Sequence, residues 1–273
     1  MKKLFFAFLA ICVFATCKGR TDSSTNKPTG DSSIRTQKLI KKFTPIIQGD
    51  WINKYYAEKL IQSKSPLAAL NFRDVVSIEI NTDSIKGDSL VCLGGDAHDS
   101  GYSTLKFVAG KKPSTIKFNG QDLSYSVEKG DTTIRLAYYD GEKKQFLFHT
   151  YIRAFKRLRG NLGDALEEYI DKMLVAGNYN LIDSTKSSIT VHFDEKGQVK
   201  GFLDFDKYFV NYDLNSDVND NLDAMYFKGP NHEQLNFTFK ISADTLKLYD
   251  TNENVDSTEL LVGKLKYKLV RQR

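Results

Sequence analysis

From residue 75 onward the chain is cut into short runs in which apolar and polar residues alternate, separated by Gly, Asn and Asp. A period of two at close spacing restricts the body to antiparallel sheets, because parallel strands need crossover helices between them. The pattern predicts strands at 75–80, 90–93, 104–109, 115–118, 123–127, 132–139 and 145–152. A helix is predicted at 162–175, with Leu166, Ile170, Met173 and Leu174 on one face. Strands then resume at 179–182, 188–193, 199–205, 208–212, 224–227, 235–241, 245–249 and 260–270. The 18 Phe and 14 Tyr suit such a body, since aromatic side chains pack well on pleated surfaces. Ahead of the strands, 36–47 reads as a short amphipathic helix interrupted at Pro45, and 55–63 as a second helix stopped by Pro66. The fold class expected is mostly β, an antiparallel meander in a barrel or sandwich, with a few helices.

Two stretches resemble each other. The segment 123–127 is followed by Asp131-Thr132 and Tyr139-Asp140, and 235–239 by Asp244-Thr245 and Tyr249-Asp250. Upstream of each, a helix runs into Gly-x-aromatic, Gly49-Asp-Trp51 and Gly177-Asn-Tyr179. Downstream, each ends in a long strand, the first holding Phe146, Phe148 and Tyr151, the second Leu265, Tyr267 and Leu269. This order, read as an internal duplication, gives two units, 34–159 and 160–273. Each would hold about seven or eight strands, enough to close a small barrel. The other reading, two meanders sharing generic turn chemistry, stays open at this stage.

The first residues carry a different signal. Lys2 and Lys3 precede an apolar or small run, 4–15, too short to remain as a membrane span. The run ends at Phe14-Ala15-Thr16-Cys17, which resembles the lipobox of bacterial lipoproteins. The resemblance implies that 1–16 is removed and that Cys17 is acylated on its thiol and new amino group, with palmitate-class chains. Lys18 stands where an Asp retains many such lipoproteins at the inner membrane, so the similarity points to the outer membrane of a bacterial envelope. Segment 18–33 has no residue able to join an apolar core and reads with Cys17 as a flexible tether, 17–33. Of three cysteines, Cys12 leaves with the leader and Cys17 is acylated, so Cys92 has no disulfide partner. Ordinary cleavage near Ala15, leaving a soluble periplasmic protein, is the alternative.

The Gly49-x-Trp51 entry into a first strand, followed by an antiparallel meander, is similar to lipocalins and the wider calycin group. In that group the Trp closes one barrel end beneath an Arg or Lys from near the end of the barrel. The resemblance implies a structural set of Gly49, Trp51 and Arg271, with Arg153 serving if the first unit closes by itself. The helix at 55–63 departs from the family, whose first strand continues there. A lipocalin-like barrel implies a cup for a small apolar ligand such as a lipid. The cup candidates are Phe202, Phe205, Tyr226, Phe237 and Phe239; the same residues would otherwise fill a closed core.

Chemistry-bearing patterns are sparse. In the glycine-rich segment 94–101, His98 beside Asp96 and Asp99 would make a general base, with Ser100 as nucleophile in a hydrolase reading. Turn caps explain the same residues. Segment 217–223 places side-chain oxygens at alternate positions like a calcium loop, but Leu222 stands where the turn needs Gly. His149, His192 and His232 are isolated. No metal and no cofactor is expected. The 39 basic and 34 acidic residues are interspersed, without a basic stripe, which disfavours nucleic acid as a partner. The expected function is a non-catalytic, membrane-anchored binding module for a small apolar ligand. The alternative is a structural lipoprotein with filled barrels that docks another envelope protein, and the third reading is the His98 hydrolase.

Overall fold

The computed structural model describes residues 30–70, 75–96, 98–112, 114–160, 162–182, 188–214, 220–230 and 234–272. The leader, Cys17, the tether up to residue 29, His232 and residues 217–219 lie outside these.

The chain opens with helix α1 (Gly30–Ile47). It begins inside the segment expected as tether, because Asp31, Ser32 and Ser33 are residue types that favour a helix N-terminus. It also runs through Pro45 rather than breaking there. Only Ile46 and Ile47 follow the proline, and the full burial of Phe43 before it and Ile47 after it holds the helix end in place.

Strand β1 (Gly49–Asn53) follows, and then helices α2 (Lys54–Ser63) and α3 (Pro66–Ala69). Asn53 caps α2 by accepting from the Tyr55 N–H at 2.9 Å, and Ser65 caps α3 through the Ala68 N–H at 2.9 Å. The meander continues through β2 (Ser77–Ile80), β3 (Ser89–Gly95), β4 (Ser100–Ala109), β5 (Ile116–Phe118), β6 (Gln121–Glu128), β7 (Asp131–Asp140) and β8 (Gln145–Phe155). Each strand pairs antiparallel with the next, and β8 returns to β1, so the eight strands form a closed barrel.

The second unit repeats the plan. Helix α4 (Leu162–Leu174) leads into β9 (Gly177–Ile182), β10 (Ser188–Phe193), β11 (Val199–Lys200) and β12 (Lys207–Val210). Then come β13 (Ala224–Lys228), β14 (Gln234–Ser242), β15 (Thr245–Glu253) and β16 (Leu260–Arg271). The sheet order is β11-β10-β9-β16-β15-β14-β13-β12, with β16 closing on β9 as β8 closes on β1. Its two edge strands meet through a single bridge, Gln198 to Lys207. The fold is thus mostly β, two tandem lipocalin-like barrels of eight strands each.

One predicted strand, 199–205, is much shorter than expected. It stops at Gly201, which has φ +77, and a Cβ there would lie 2.4 Å from the Thr190 carbonyl oxygen. The turn that follows folds Phe202 into the core.

The departure from the lipocalin pattern joins the units. Tyr56, Ala57 and Leu60 of α2 are buried in the same apolar cluster as Leu166 and Ile170 of α4 and the interior of the second barrel. The first barrel keeps a separate core around Trp51, Ile78, Leu105 and Ile134. The Asp223 carboxylate, just before β13, accepts from the Leu67 N–H at 2.9 Å and so ties α3 to the second barrel.

Candidate functional site

Each barrel is latched at its helix end by the same device. Trp51 and Arg153 are register partners on β1 and β8, and the guanidinium lies 4.7 Å from the indole ring centre. The indole N–H donates to the Ile47 carbonyl at 2.8 Å, and Arg153 Nη2 donates to the Ile46 carbonyl. In the second barrel Tyr179 faces Arg271 in register, with the guanidinium 4.9 Å from the ring. The Tyr179 hydroxyl donates to the Val175 carbonyl at 2.8 Å, and Arg271 donates to the carbonyls of Ala176 at 2.7 Å and Leu174 at 3.1 Å. Cation and ring attract, while the guanidinium satisfies carbonyls left open at a helix end. Arg271 therefore serves Tyr179 and not Trp51, whose partner is Arg153, because each eight-stranded unit closes on itself. The paired latches make the internal repeat visible in side-chain geometry as well as in topology.

The two interiors differ. The second barrel is filled: Phe193, Phe202, Phe227 and Phe239 are at most 1% exposed, and the first three pack as tilted and edge-to-face rings. Of the cup candidates, Phe202, Phe237 and Phe239 belong to this packed core, and Phe205 packs against it. Tyr226 points to the outside, stacked on Phe209 at 5.3 Å. These five residues do not line a common cup, because rings in contact leave no space between them.

The first barrel has a cavity of about 310 Å³ at the end away from its latch, space for roughly ten waters. Ile78, Phe118, Leu136 and Tyr151 form its apolar inner part. Asn119, Gln121 and His149 bring polar groups to it, and the Tyr151 hydroxyl donates to the Val75 carbonyl at 3.1 Å. His149 stacks on Tyr138, with ring centres 4.4 Å apart.

Gly94 and Gly101 face each other across β3 and β4 and line the same cavity. A Cβ on Gly101 would meet nothing within 4 Å. Space exists here chiefly because Gly101 carries no side chain; a Cβ on Gly94 would already touch the Val75 side chain at 3.4 Å. The sequence pattern puts these glycines in a loop around His98, whereas their two-residue alternation with the inward Cys92 and Ser103 marks them as strand positions.

Deeper in the barrel, Cys92 is fully buried, and burial pushes its thiol pKa up to about 12, so it is a packing residue rather than a nucleophile.

The His98 turn does other work. The Asp96 carboxylate accepts from the N–H groups of His98 at 2.8 Å and Asp99 at 2.6 Å, which is turn capping. The His98 ring pairs through Nδ1 with Asp213 of the second unit at 2.6 Å, a contact that holds its pKa above the usual imidazole value. Ser100 enters β4 opposite Gly95. In the calcium-like segment, Asn221 accepts from the Leu260 N–H and donates to its carbonyl, and Asp223 is engaged with α3. Among the described residues no group of three metal-ligating side chains converges.

Carboxyls are buried on and around α4. Asp50, on the outer face of β1, is 1% exposed and faces Glu79, Glu168 and Arg159. Desolvation, with Glu79 adding to it, raises its pKa to about 7; the Arg159 main chain and guanidinium offset part of this. Asp171 of α4 is fully buried, and desolvation with Glu167, Asp194 and Glu168 nearby raises its pKa strongly.

No protein-family model matches the chain, and comparison with curated proteins and with solved structures returns no match.

Proposed function

We propose that the protein is a bacterial envelope lipoprotein, held at a membrane through acylated Cys17, whose first barrel binds a small, largely apolar ligand without transforming it. The observation that carries this reading is the cavity walled by Gly94 and Gly101, with apolar residues inside and polar groups at its edge. Ligand sites have that composition, and about 310 Å³ stands at the small end of their usual size. The cup is assigned to the first barrel, and the second acts as a packed support for it through α2 and α4. The short leader and the Cys17 pattern support the membrane anchor, and Lys18 favours the outer membrane. A partner-docking role is favoured by one observation, the half-exposed Tyr139, Phe146 and Phe148 around the β7–β8 hairpin, with Lys112 above both phenylalanine rings.

The test is mass spectrometry of the full-length chain extracted from the membrane fraction of a bacterial host. Denaturing conditions read the covalent acyl mass on Cys17, and native conditions read a non-covalent ligand. The reading expects both. It further expects Gly101→Leu, which places a side chain in open space, to keep the acyl mass and the fold but lose the ligand. An unacylated Cys17 would end the lipoprotein reading. An empty wild-type barrel, or a ligand retained by Gly101→Leu, would end the cup reading and leave partner docking.

A further inference from the structure

A second concavity, of about 450 Å³, lies on the outer surface of the other barrel, along the seam between β11 and β12. In the first barrel the corresponding strands, β3 and β4, are joined along seven register pairs, Ser89↔Lys106 through Gly95↔Ser100. In the second, the Gln198–Lys207 bridge and the main-chain bonds Val199 N–H to Asp206 and Tyr208 N–H to Gly197 are what hold the seam. Gly197, with φ +73, forms part of the groove wall; a Cβ there would sit 2.8 Å from the Tyr208 carbonyl oxygen. The repeat has opened here what its counterpart keeps shut.

The outward residues of β12 and β13 set the character of the groove. Lys207 stands directly opposite Lys228, and Phe209 opposite Tyr226. The two rings are stacked at 5.3 Å with 20° between their planes. Lys196 adds a third ammonium from the turn before β11. Like charges directly across a strand pair destabilise it. Among the described residues none of these three lysines forms an ion pair with a carboxylate. Glu167 of α4 also lines the groove, and burial, with Asp164 adding to it, holds its pKa above the usual carboxylate value; Asp171 lies behind Gly197, as near to it as Glu167 is.

We propose that this seam groove binds a small anion, a phosphate or carboxylate carried on a flat ring. Lys207 and Lys228 take the anionic group, and the Phe209–Tyr226 pair walls the ring. A bound anion converts the repulsion of the lysine pair into a bridge, and the parted seam supplies the volume for the rest of the ligand. Charge register alone does not mark the site. Lys240, Lys247 and Lys268 also stand opposite one another across β14, β15 and β16, but they line none of the cavities described here. That ladder is a control for diffuse electrostatics. The assignment is independent of the cup in the first barrel.

Calorimetric titration of the full chain in detergent with phenyl phosphate and with inorganic phosphate tests it. Both should bind, phenyl phosphate more tightly. Lys207→Glu should weaken phenyl phosphate by at least about tenfold. The same variant should raise the midpoint of thermal unfolding, because it pairs with Lys228 instead of repelling it. Lys247→Glu should leave the affinity within about twofold. Undiminished binding by Lys207→Glu, an equal loss with Lys247→Glu, or no binding of either anion would overturn the site. Equal affinity for the two anions would overturn the role of the aromatic wall.

Discussion

The first barrel zips β3 to β4 along seven pairs and leaves its mouth empty, whereas the second parts the corresponding seam and packs its interior with phenylalanine. Both are latched identically, by Gly-x-aromatic at the head of one strand and an arginine on the strand that closes against it. The frame therefore tolerates opposite interiors, and a few inward positions decide which is obtained. Where those positions are Gly94 and Gly101, the barrel mouth holds space; where the chain turns Phe202 inward, rings fill the middle of the barrel. One copy can specialise in holding a ligand while the other specialises in being solid.

The largest expected difference between the copies follows from that contrast. Phe202→Ala should cost about 3–5 kcal/mol, because its neighbours are rings on every side and cannot collapse into the gap. Phe118→Ala, at the edge of the existing cavity, should cost about 2 kcal/mol, since part of its surroundings is already open. Chemical denaturation of both variants measures this, and equal losses would mean that the first interior is as tightly packed as the second. The latches provide a finer test. A Cβ on Gly49 would lie 2.3 Å from the Phe155 carbonyl oxygen, whereas on Gly177 it would meet the Arg271 guanidinium at 2.6 Å. Both glycines have positive φ, +131 and +150. Gly49→Ala should therefore cost about 3 kcal/mol and Gly177→Ala about 1–2 kcal/mol, since a side chain can move where main chain cannot. The reverse order would show the second latch to be the rigid one.

The remaining difference concerns the junction between the copies and depends on pH. The folded-state pKa of Asp50 is raised to about 7 from the usual value near 3.8. The native state then holds a proton that the unfolded chain releases, so stability falls as pH rises from about 4 to 7 and is flat above that. Asp50→Asn removes the part of this dependence that Asp50 carries. It should be near neutral at pH 4 and stabilising by up to about 4 kcal/mol at pH 8, read from unfolding curves across that range. A constant difference at all pH values would show that Asp50 does not titrate at the junction.

Much of this architecture is legible in the sequence. The alternation through β6 and β7, and the Asp131-Thr132 and Asp244-Thr245 turns, carry local information that survives folding. Gly49-x-Trp51 and Gly177-x-Tyr179 were equally plain as matching entries. The arginine belonging to each was not, because it depends on where a strand closes on one far upstream, which no local pattern encodes. Phe202 looked like a strand residue because its run is apolar, while the positive φ of Gly201 and the close Thr190 carbonyl that end the strand are tertiary facts. The cup was sought among aromatic residues, yet alternation is identical whether a ring fills a core or lines a space. What marked the cup was the lack of side chains at Gly94 and Gly101. Helix α2 was visible by its periodicity, but not that its apolar face would be claimed by another barrel.

The latches also impose an order of assembly. A chain that crosses a membrane N-terminus first presents both Trp51 and Arg153 before any strand of the second barrel has emerged. Tyr179 must wait until Arg271 emerges, after every other element of that unit. In the interval the first barrel is sealed while Tyr56 and Leu60 of α2 remain uncovered, a sticky intermediate whose lifetime is set by how fast the last strand arrives.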